Sequence, residues 1–261
     1  MRILILGGTR EARELARLTS GERGFEIVSS LAGRVRDPLL PEGQVRIGGF
    51  GGVDGLVSYL ADTAVDVVVD ATHPFAARIG ANAAAATSAL GVPLLRVRRP
   101  GWTEVPGDRW IRVPDPTAAA RAIPDLGERV FLTIGRQGVA AFAELSHPWF
   151  LIRSIDPPAG PLPPRHELLC ARGPFSVDEE MVLFSRRRID LLVTKDSGGD
   201  QTEAKLLAAR VAGVPVLMID RPALAPGVRA VRAVEAAVDW LRDQRDSRPG
   251  SLSNQSRTAR S

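Results

Sequence analysis

The chain has 261 residues, of which 44% are hydrophobic and 25% charged, so it is large and apolar enough for one large or two ordinary globular domains. No apolar run approaches the about 18 residues of a membrane span. With a net charge of only +4, dispersed basic residues and few aromatic ones, no nucleic-acid binding is expected. The sequence begins without a cleavable signal pattern, and its single cysteine, Cys170, cannot form an internal disulfide, so a cytoplasmic protein is expected.

The first half of the chain alternates short apolar runs with helix-forming segments. The run at residues 65–69 lacks polar alternation, which is typical of a parallel strand covered on both faces. The predicted strands are residues 2–6, 25–29, 45–47, 66–70 and 93–97, and the predicted helices are residues 10–19, 53–62 and 75–90.

The second half repeats this alternation after a segment at residues 99–102 that contains Pro, Gly and Trp and marks a boundary. Asp115 before Pro116 is typical of a helix start, and Ser176 with Glu179 matches a capping box. The predicted strands are residues 110–113, 129–134, 150–154, 167–171, 190–194 and 215–219, and the predicted helices are residues 117–123, 139–145, 177–186, 202–212 and 234–245.

The alternation predicts an α/β protein with two Rossmann-like, doubly wound parallel-sheet domains and a cleft between them. We expect an N-terminal domain at residues 1–98 and a C-terminal domain at residues 99–245. The polar tail at residues 246–261 has almost nothing to bury and is expected to be disordered. Ligands of such sheets bind outside the carboxyl ends of the strands, so the candidate site residues are those that follow a strand.

The first strand ends in a glycine turn, Gly7, Gly8 and Thr9, immediately before a predicted helix. Backbone N–H groups at such a helix start can bind a dinucleotide pyrophosphate. The third glycine of the full dinucleotide fingerprint is absent, so the alternative is a tight strand–helix turn that binds nothing. Thr9 either binds a phosphate oxygen or caps its helix.

The ends of the second and third strands carry polar and glycine residues. Ser30 and Arg34 stand where a dinucleotide domain meets the adenosine ribose, and no carboxylate is present there. Ser and Arg suit a 2′-phosphate and therefore favour NADP, in which case the N-terminal domain binds NADPH. Gly49, in a run of four glycines around Phe50, allows close backbone approach to a ligand, with Phe50 able to stack on adenine. The alternatives are a solvated basic loop and a surface turn.

Asp70, Thr72 and His73 follow the most hydrophobic strand and precede Pro74, a residue that suits the first turn of a helix. The reacting end of a cofactor would lie at this position, so all three are predicted to bind the cofactor, and His73 is a candidate catalytic residue. Alternatively, Asp70 or Thr72 satisfies the N–H groups of the loop and the helix end.

The second half offers an anion site at two further strand ends. One is a glycine turn at residues 135–138, and the other is a Lys-, Ser- and Gly-containing segment from Lys195 that leads into a helix. The predicted substrate-binding residues are Gly135, Arg136, Gln137, Lys195, Ser197, Gly198 and Lys205. No metal-ligand spacing, Walker lysine motif or nucleophile elbow is present.

Together these segments resemble the precorrin-6A reductase family of cobalamin biosynthesis. The resemblance runs in family order over residues 1 to about 243. Its segments are residues 5–13, 70–76, 132–136, 194–199, 213–216 and 219–222, and the Asp-Ala-Thr-His-Pro-Phe-Ala sequence of residues 70–76 is the most specific.

The resemblance implies an NADPH-dependent oxidoreductase that reduces a ring double bond of precorrin-6A to give precorrin-6B. Hydride goes to one carbon and a proton to its neighbour. The tetrapyrrole has many carboxylate arms, with which arginines and the Lys195 segment can pair. His73 and Lys195 are then candidates near the reacting centre, and the neighbouring methyltransferase of the pathway is a candidate partner.

Two other functions fit the same architecture. A glycosyltransferase of the two-Rossmann-domain type would bind a nucleotide sugar, although the missing acid after the second strand disfavours it. A nucleotide sensor would bind its ligand without chemistry.

Overall fold

The computed structural model describes residues 1–33 and 38–248, which form two sheets of parallel strands flanked by helices. The strands are β1 Arg2–Leu6, β2 Glu26–Leu31, β3 Gln44–Ile47, β4 Val67–Asp70, β5 Leu94–Val97, β6 Trp110–Val113, β7 Arg129–Thr133, β8 Trp149–Ser154, β9 His166–Cys170, β10 Leu191–Lys195, β11 Val216–Ile219 and β12 Arg229–Val231. The helices are α1 Arg10–Thr19, α2 Val53–Asp62, α3 Ala77–Leu90, α4 Pro116–Ala122, α5 Val177–Arg187, α6 Ala204–Ala212 and α7 Val234–Asp246. The predicted α/β class with two parallel sheets is confirmed.

The first sheet has the strand order β3-β2-β1-β4-β5-β12. The order reverses between β1 and β4, and in open sheets of this kind ligands bind outside the carboxyl ends of the strands at that point. Leu6 pairs with Ser30 on one side and with Asp70 on the other. The segments that follow these three strands therefore lie side by side at one edge of the sheet.

Both faces of the first sheet are covered, as the apolar strands predict. Alternate residues of β1 face opposite ways: Ile3 and Ile5 belong to the core cluster of α1 and α7, whereas Leu4 and Leu6 belong to that of α2 and α3. All four are almost completely buried. The residues of the site edge thus extend from a rigid, packed strand.

The second sheet has the order β6-β11-β10-β7-β8-β9. The five strands β9-β8-β7-β10-β11 repeat the order of β3-β2-β1-β4-β5, and β6 takes the place of β12. The corresponding reversal lies between β7 and β10, where Thr133 pairs with Thr194. Phe131, Phe184, Leu192 and Leu206 form part of the core between this sheet and helices α5 and α6.

The division of the chain differs from the predicted one at its C-terminal end. One compact unit comprises residues 1–99 with the segment from Ala223, and the other comprises residues 100–222, so residues 223–245 do not belong to the second domain. β12 pairs with β5, and Trp240 and Leu241 of α7 lie in the first core. The three-residue β12, mostly exposed, has no apolar run and was not predicted.

Two further predictions need correction. The predicted helix at residues 139–145 is a 3₁₀ helix, Val139–Phe142, whose three-residue turn places the buried Val139 and Phe142 on the same side. The predicted disordered tail begins at Asp246, which is the last residue of α7, and residues 249–261 lie outside the described part. No helix among the described residues is long and apolar enough to cross a membrane.

Candidate functional site

The glycine turn after β1 approaches the end of β2 closely. The Gly7 N–H donates to the Ser30 carbonyl oxygen at 2.9 Å. A Cβ at Gly7 would lie 3.3 Å from Ala12 Cβ, so a side chain at this position would crowd α1. Gly8 has a φ of +107°, and no atom lies within 4 Å of the position of a Cβ there, which leaves open space above its backbone.

Thr9 caps α1. Its hydroxyl accepts from the Ala12 N–H at 3.1 Å and donates to the Ala71 carbonyl oxygen at 2.7 Å. Of the two roles predicted for Thr9, these contacts are those of the helix cap. The hydroxyl donates its proton to the Ala71 carbonyl oxygen, so it has no proton to donate to a phosphate. Any anion at this turn would therefore be bound by backbone N–H groups, which a helix start leaves without partners inside the helix.

Arg46, which was not among the predicted site residues, connects the end of β2 to the loop after β3. Its guanidinium donates to the Ser30 hydroxyl at 3.2 Å and to the carbonyl oxygens of Gly48 and Gly49, each at 2.7 Å. The guanidinium carbon lies 3.8 Å from the centre of the Phe50 ring. This face of Phe50, expected to stack on adenine, is therefore in contact with Arg46. The predicted ribose partner Arg34 lies outside the described residues.

The Asp70 carboxylate holds the loop that follows β4. One oxygen accepts from the N–H and hydroxyl of Thr72, at 3.0 and 2.7 Å, and the other forms an ion pair with Arg96. Arg96 also donates to the His73 carbonyl oxygen at 3.2 Å. Both charged side chains are at least 94% buried. These contacts match the alternative prediction, in which the Asp70 carboxylate accepts hydrogen bonds from the loop.

Arg96 was also missed, although the sequence carries a signal for it. It is the one charged residue of β5, and it pairs in register with Asp70. An arginine inside an apolar strand needs a buried partner. An aspartate at the end of a neighbouring parallel strand provides one.

His73 is oriented by the start of the next segment. Its Nδ1 accepts from the Phe75 N–H at 3.2 Å, and the two rings lie 5.9 Å apart. In the neutral ring this places the proton on Nε2. His73 is thus held at the carboxyl edge of the sheet as a hydrogen-bond donor through Nε2.

Glu11 and Arg99 form an ion pair beside the same loop. Both Glu11 oxygens lie 2.9 Å from one Arg99 nitrogen, and the pair lines a small depression together with Ala71, Thr72 and Pro74. Burial alone would raise the pKa of Glu11. The hydrogen bond from its own backbone N–H and the charge of Arg99 outweigh burial and lower this pKa, so the carboxylate is ionised at neutral pH.

Most of the residues predicted to bind substrate follow two adjacent strands of the second unit, at one edge of its sheet. Gly135, with a φ of +72°, Arg136 and Gln137 follow β7, and Lys195 ends the adjacent strand β10. Lys195 is half-buried, and burial lowers the pKa of its ammonium group. The structure therefore places a glycine turn, an arginine and a lysine side by side.

Asp196 holds the loop of Ser197 and Gly198 in place. It is 94% buried, and its carboxylate accepts from the Trp102 N–H at 3.0 Å and from Arg112 at 2.9 Å. Arg221 donates to the Asp196 carbonyl oxygen at 2.5 Å. None of these four residues was predicted, because their contacts join segments that are far apart in sequence.

Lys205 does not lie where a substrate-binding residue would. It is 97% buried, and its ammonium donates to the Thr202 carbonyl oxygen and lies 4.8 Å from the centre of the Trp102 ring. Burial and the charge of Arg153, opposed by Glu180, lower the pKa of Lys205 to about 7. This burial argues against the predicted substrate-binding role, because the ammonium lies against the Thr202 carbonyl oxygen and the Trp102 ring.

We expect Lys205→Met to stabilise the fold at pH 6 by about 3 to 4 kcal/mol. Burial costs the charged form about 1.4 kcal/mol per pKa unit, and the lost hydrogen bond offsets about 1 kcal/mol. The unfolded lysine has a pKa of about 10.4. Between about pH 7 and 10 the unfolded chain therefore binds more protons than the folded chain. The destabilisation caused by burying the ammonium charge is complete below pH 7 and is lost as the pH rises through this window.

Urea unfolding at pH 6 and pH 10 measures this effect. Leu206→Met changes a neighbouring buried residue that does not titrate, so its effect on stability should not vary with pH. A Lys205→Met protein whose stability difference from the wild type is the same at both pH values contradicts the prediction.

Comparisons with known proteins identify the family of this chain. Residues 2–242 match the family model described as Precorrin-6x reductase CbiJ/CobK. The chain belongs to this family. A precorrin-6A reductase of Rhodococcus erythropolis is 58% identical, with 92% of this chain and 97% of the relative covered. One of Mycobacterium tuberculosis is 52% identical, with the same coverage. The solved structure of a CobK precorrin-6A reductase is similar at a TM-score of 0.86 and 46% identity, covering 94% of this chain and 97% of that one.

Membership of the family makes the chain a reductase, and such a reductase needs a nicotinamide cofactor. The residues of the first unit fit a dinucleotide. Its strand order is that of dinucleotide-binding sheets, and at Gly8, Gly48 and Gly49 the position of a Cβ has no atom within 4 Å. A ligand can therefore approach the backbone at the end of β1 and after β3.

Proposed function

We propose that this chain reduces a ring double bond of precorrin-6A with NADPH to give precorrin-6B in cobalamin biosynthesis. The match to the reductase family over residues 2–242 carries this proposal, and the high identity of relatives that bear the name precorrin-6A reductase supports it. When bound, the cofactor supplies a hydride to one carbon of the double bond. The neighbouring carbon takes a proton.

The first unit holds the cofactor in this proposal. The backbone of Gly7, Gly8 and Thr9 binds the pyrophosphate, and Ser30 and Gly49 bind the adenosine end, together with Arg34 from the segment outside the described residues. Strand β4 delivers Thr72 and His73 to the nicotinamide end, with Asp70 and Arg96 fixing the loop. The protein mainly positions the reacting groups, since the reducing chemistry belongs to the cofactor.

The second unit binds the carboxylate arms of the substrate. Lys195, Arg136 and the N–H groups around Ser197 and Gly198 stand at one edge, where charge-assisted hydrogen bonds to carboxylates are strong. Asp196 and its two arginines keep this edge in one conformation. The methyltransferase that follows in the pathway is the proposed recipient of the product.

The nucleotide-sugar and sensor functions have no specific observation in their favour. The described residues directly after β2 are Ala32 and Gly33, and neither offers the carboxylate that a nucleotide-sugar enzyme would use for its ribose. The family match covers both units, including the edge of the second unit that a simple nucleotide sensor would not need.

We expect His73→Ala and Lys195→Ala to lower reductase turnover in different ways. Loss of an oriented donor at the reacting end lowers kcat by about 10-fold or more. Loss of a lysine–carboxylate contact raises KM by about 10- to 100-fold. Steady-state assays of NADPH oxidation with precorrin-6A measure both parameters.

His147→Ala is the control, because this histidine is exposed and lies outside the site edges. Rates equal to the wild type in both His73→Ala and Lys195→Ala would remove these two assignments. The absence of NADPH oxidation by the wild-type protein with precorrin-6A would remove the proposed function itself.

A further inference from the structure

The second unit buries a cluster of three charged side chains, Arg153 of β8, Glu180 of α5 and Lys205 of α6. Each of them is at least 92% buried. The Arg153 guanidinium donates to one Glu180 oxygen at 2.7 Å, and its central carbon lies 4.7 and 3.8 Å from the ring centres of Phe131 and Phe175. These contacts fix Arg153 and Glu180 as an ion pair without net charge.

Lys205 adds a charge that this pair does not balance. The second Glu180 oxygen has no hydrogen-bond partner within the described residues, so the Lys205 ammonium does not pair with it. Glu203, the other carboxylate that acts on Lys205, is partly exposed, and water weakens its effect. A proton on Lys205 therefore leaves the buried cluster with one excess positive charge, which is costly away from water. The lowered pKa of Lys205 reflects this cost.

Two partly exposed groups lie against the ammonium of Lys205. It donates to the carbonyl oxygen of Thr202, the last residue of the 3₁₀ turn Asp200–Thr202, and it lies 4.8 Å from the centre of the Trp102 ring. Trp102 and Thr202 are both partly exposed, whereas the rest of the cluster is buried. Displacing this cover, the Trp102 ring and the Asp200–Thr202 turn, would admit water to the ammonium.

The cover also holds the loop of the substrate edge. Trp102 donates from its backbone N–H to the Asp196 carboxylate at 3.0 Å and from its indole N–H to the Gly199 carbonyl oxygen at 3.3 Å. Gly199 directly precedes the Asp200–Thr202 turn. The cover therefore holds both ends of the loop at residues 196–199, which contains the N–H groups proposed to bind substrate carboxylates.

We infer that Lys205 is a positioning residue for the substrate edge: its neutral form keeps the cover closed, and a proton on it favours an open cover and a loosened 196–199 loop. The inference rests on the proposed function for the ligand of this edge. A buried group that becomes charged favours the conformation in which water reaches it. A fall in pH then weakens the hold of this edge on carboxylates.

Hydrogen exchange measured by mass spectrometry tests the inference without substrate. After correction for the intrinsic effect of pH, the amides of residues 197–203 should exchange about 10-fold faster at pH 6 than at pH 8. This factor follows from a Lys205 pKa of about 7 under the closed cover and of about 10.4 in water. Lys205→Met removes the proton site, so its corrected exchange should be equal at the two pH values.

Leu206→Met is the matched control, because it changes a buried neighbour on the same helix that does not titrate. It should keep the pH dependence of the wild type. In both proteins residues 197–203 should exchange faster than β7, since the cover opens locally and not by global unfolding. Lysine labelled with ¹³C at Cε gives only two side-chain signals, from Lys195 and Lys205. The Lys205 signal should titrate near pH 7, where the exchange begins to slow.

Three results would overturn the inference: the same ratio of exchange rates in the wild type and Lys205→Met, exchange of residues 197–203 at the rate of β7, or a Lys205 signal that titrates near pH 10. None of these measurements needs cofactor or substrate. Wild-type protein that does not oxidise NADPH with precorrin-6A therefore removes the proposed function, while the control of the loop by Lys205 is decided separately by the exchange data.

Discussion

Asp70→Ala should destabilise the protein by about 3 to 5 kcal/mol, since it leaves the Arg96 guanidinium buried without its partner charge. Arg96 is 94% buried, and its Nε already has no hydrogen-bond partner within the described residues. The substitution also removes the acceptor of the Thr72 N–H and hydroxyl. Denaturant unfolding followed by circular dichroism measures the loss.

A double variant separates the lost charge from lost packing. Asp70→Ala combined with Arg96→Met should recover much of the stability, because replacing a whole buried ion pair by apolar groups is often neutral or stabilising. Asp66 is partly exposed and lies directly before β4. Asp66→Ala should therefore lower the free energy of unfolding by only about 1 kcal/mol. If Asp70→Ala alone costs no more than Asp66→Ala, the buried pair does not hold this loop.

The bounds of β1, α1 and α2 could be predicted from sequence because their signals are local. An uninterrupted apolar run predicts a covered strand, and the glycine turn with Thr9 marks the start of α1. The same reasoning failed for β12, whose three residues form a strand only because the edge of β5 is there to pair with. That strand brings α7 to the first unit, so one missed element changed the division of the chain.

Prediction from sequence has the same limit for the side chains of the candidate site. The position of Thr9, His73 and Lys195 follows from the ends of strands and was predictable. Their partners were missed, since Arg96 reaches the His73 carbonyl oxygen only once β5 pairs in register with β4. Lys205 was predicted to bind substrate because it is one of only two lysines and follows the glycine segment after β10, whereas tertiary packing buries its ammonium group.

Gly198→Ala should cost about 2 to 4 kcal/mol of stability and strongly reduce catalysis on the substrate. Gly198 has a φ of +66°, and a Cβ there would lie 2.0 Å from the Pro100 carbonyl oxygen and 2.6 Å from the Arg221 guanidinium. The left-handed conformation alone costs a non-glycine residue about 1 to 2 kcal/mol, and the overlap with backbone adds to it. The loop must shift, and with it the N–H groups proposed to bind substrate carboxylates.

Gly213→Ala isolates the cost of the overlap. Gly213 has the same φ of +66°, but no atom lies within 4 Å of the position of its Cβ, so this variant should lose only about 1 to 2 kcal/mol and keep its kcat/KM. Denaturant unfolding and steady-state kinetics on both variants compare the two positions. Equal losses of stability, with kcat/KM unchanged in Gly198→Ala, would mean that the close approach of Gly198 to Pro100 does not shape the substrate edge.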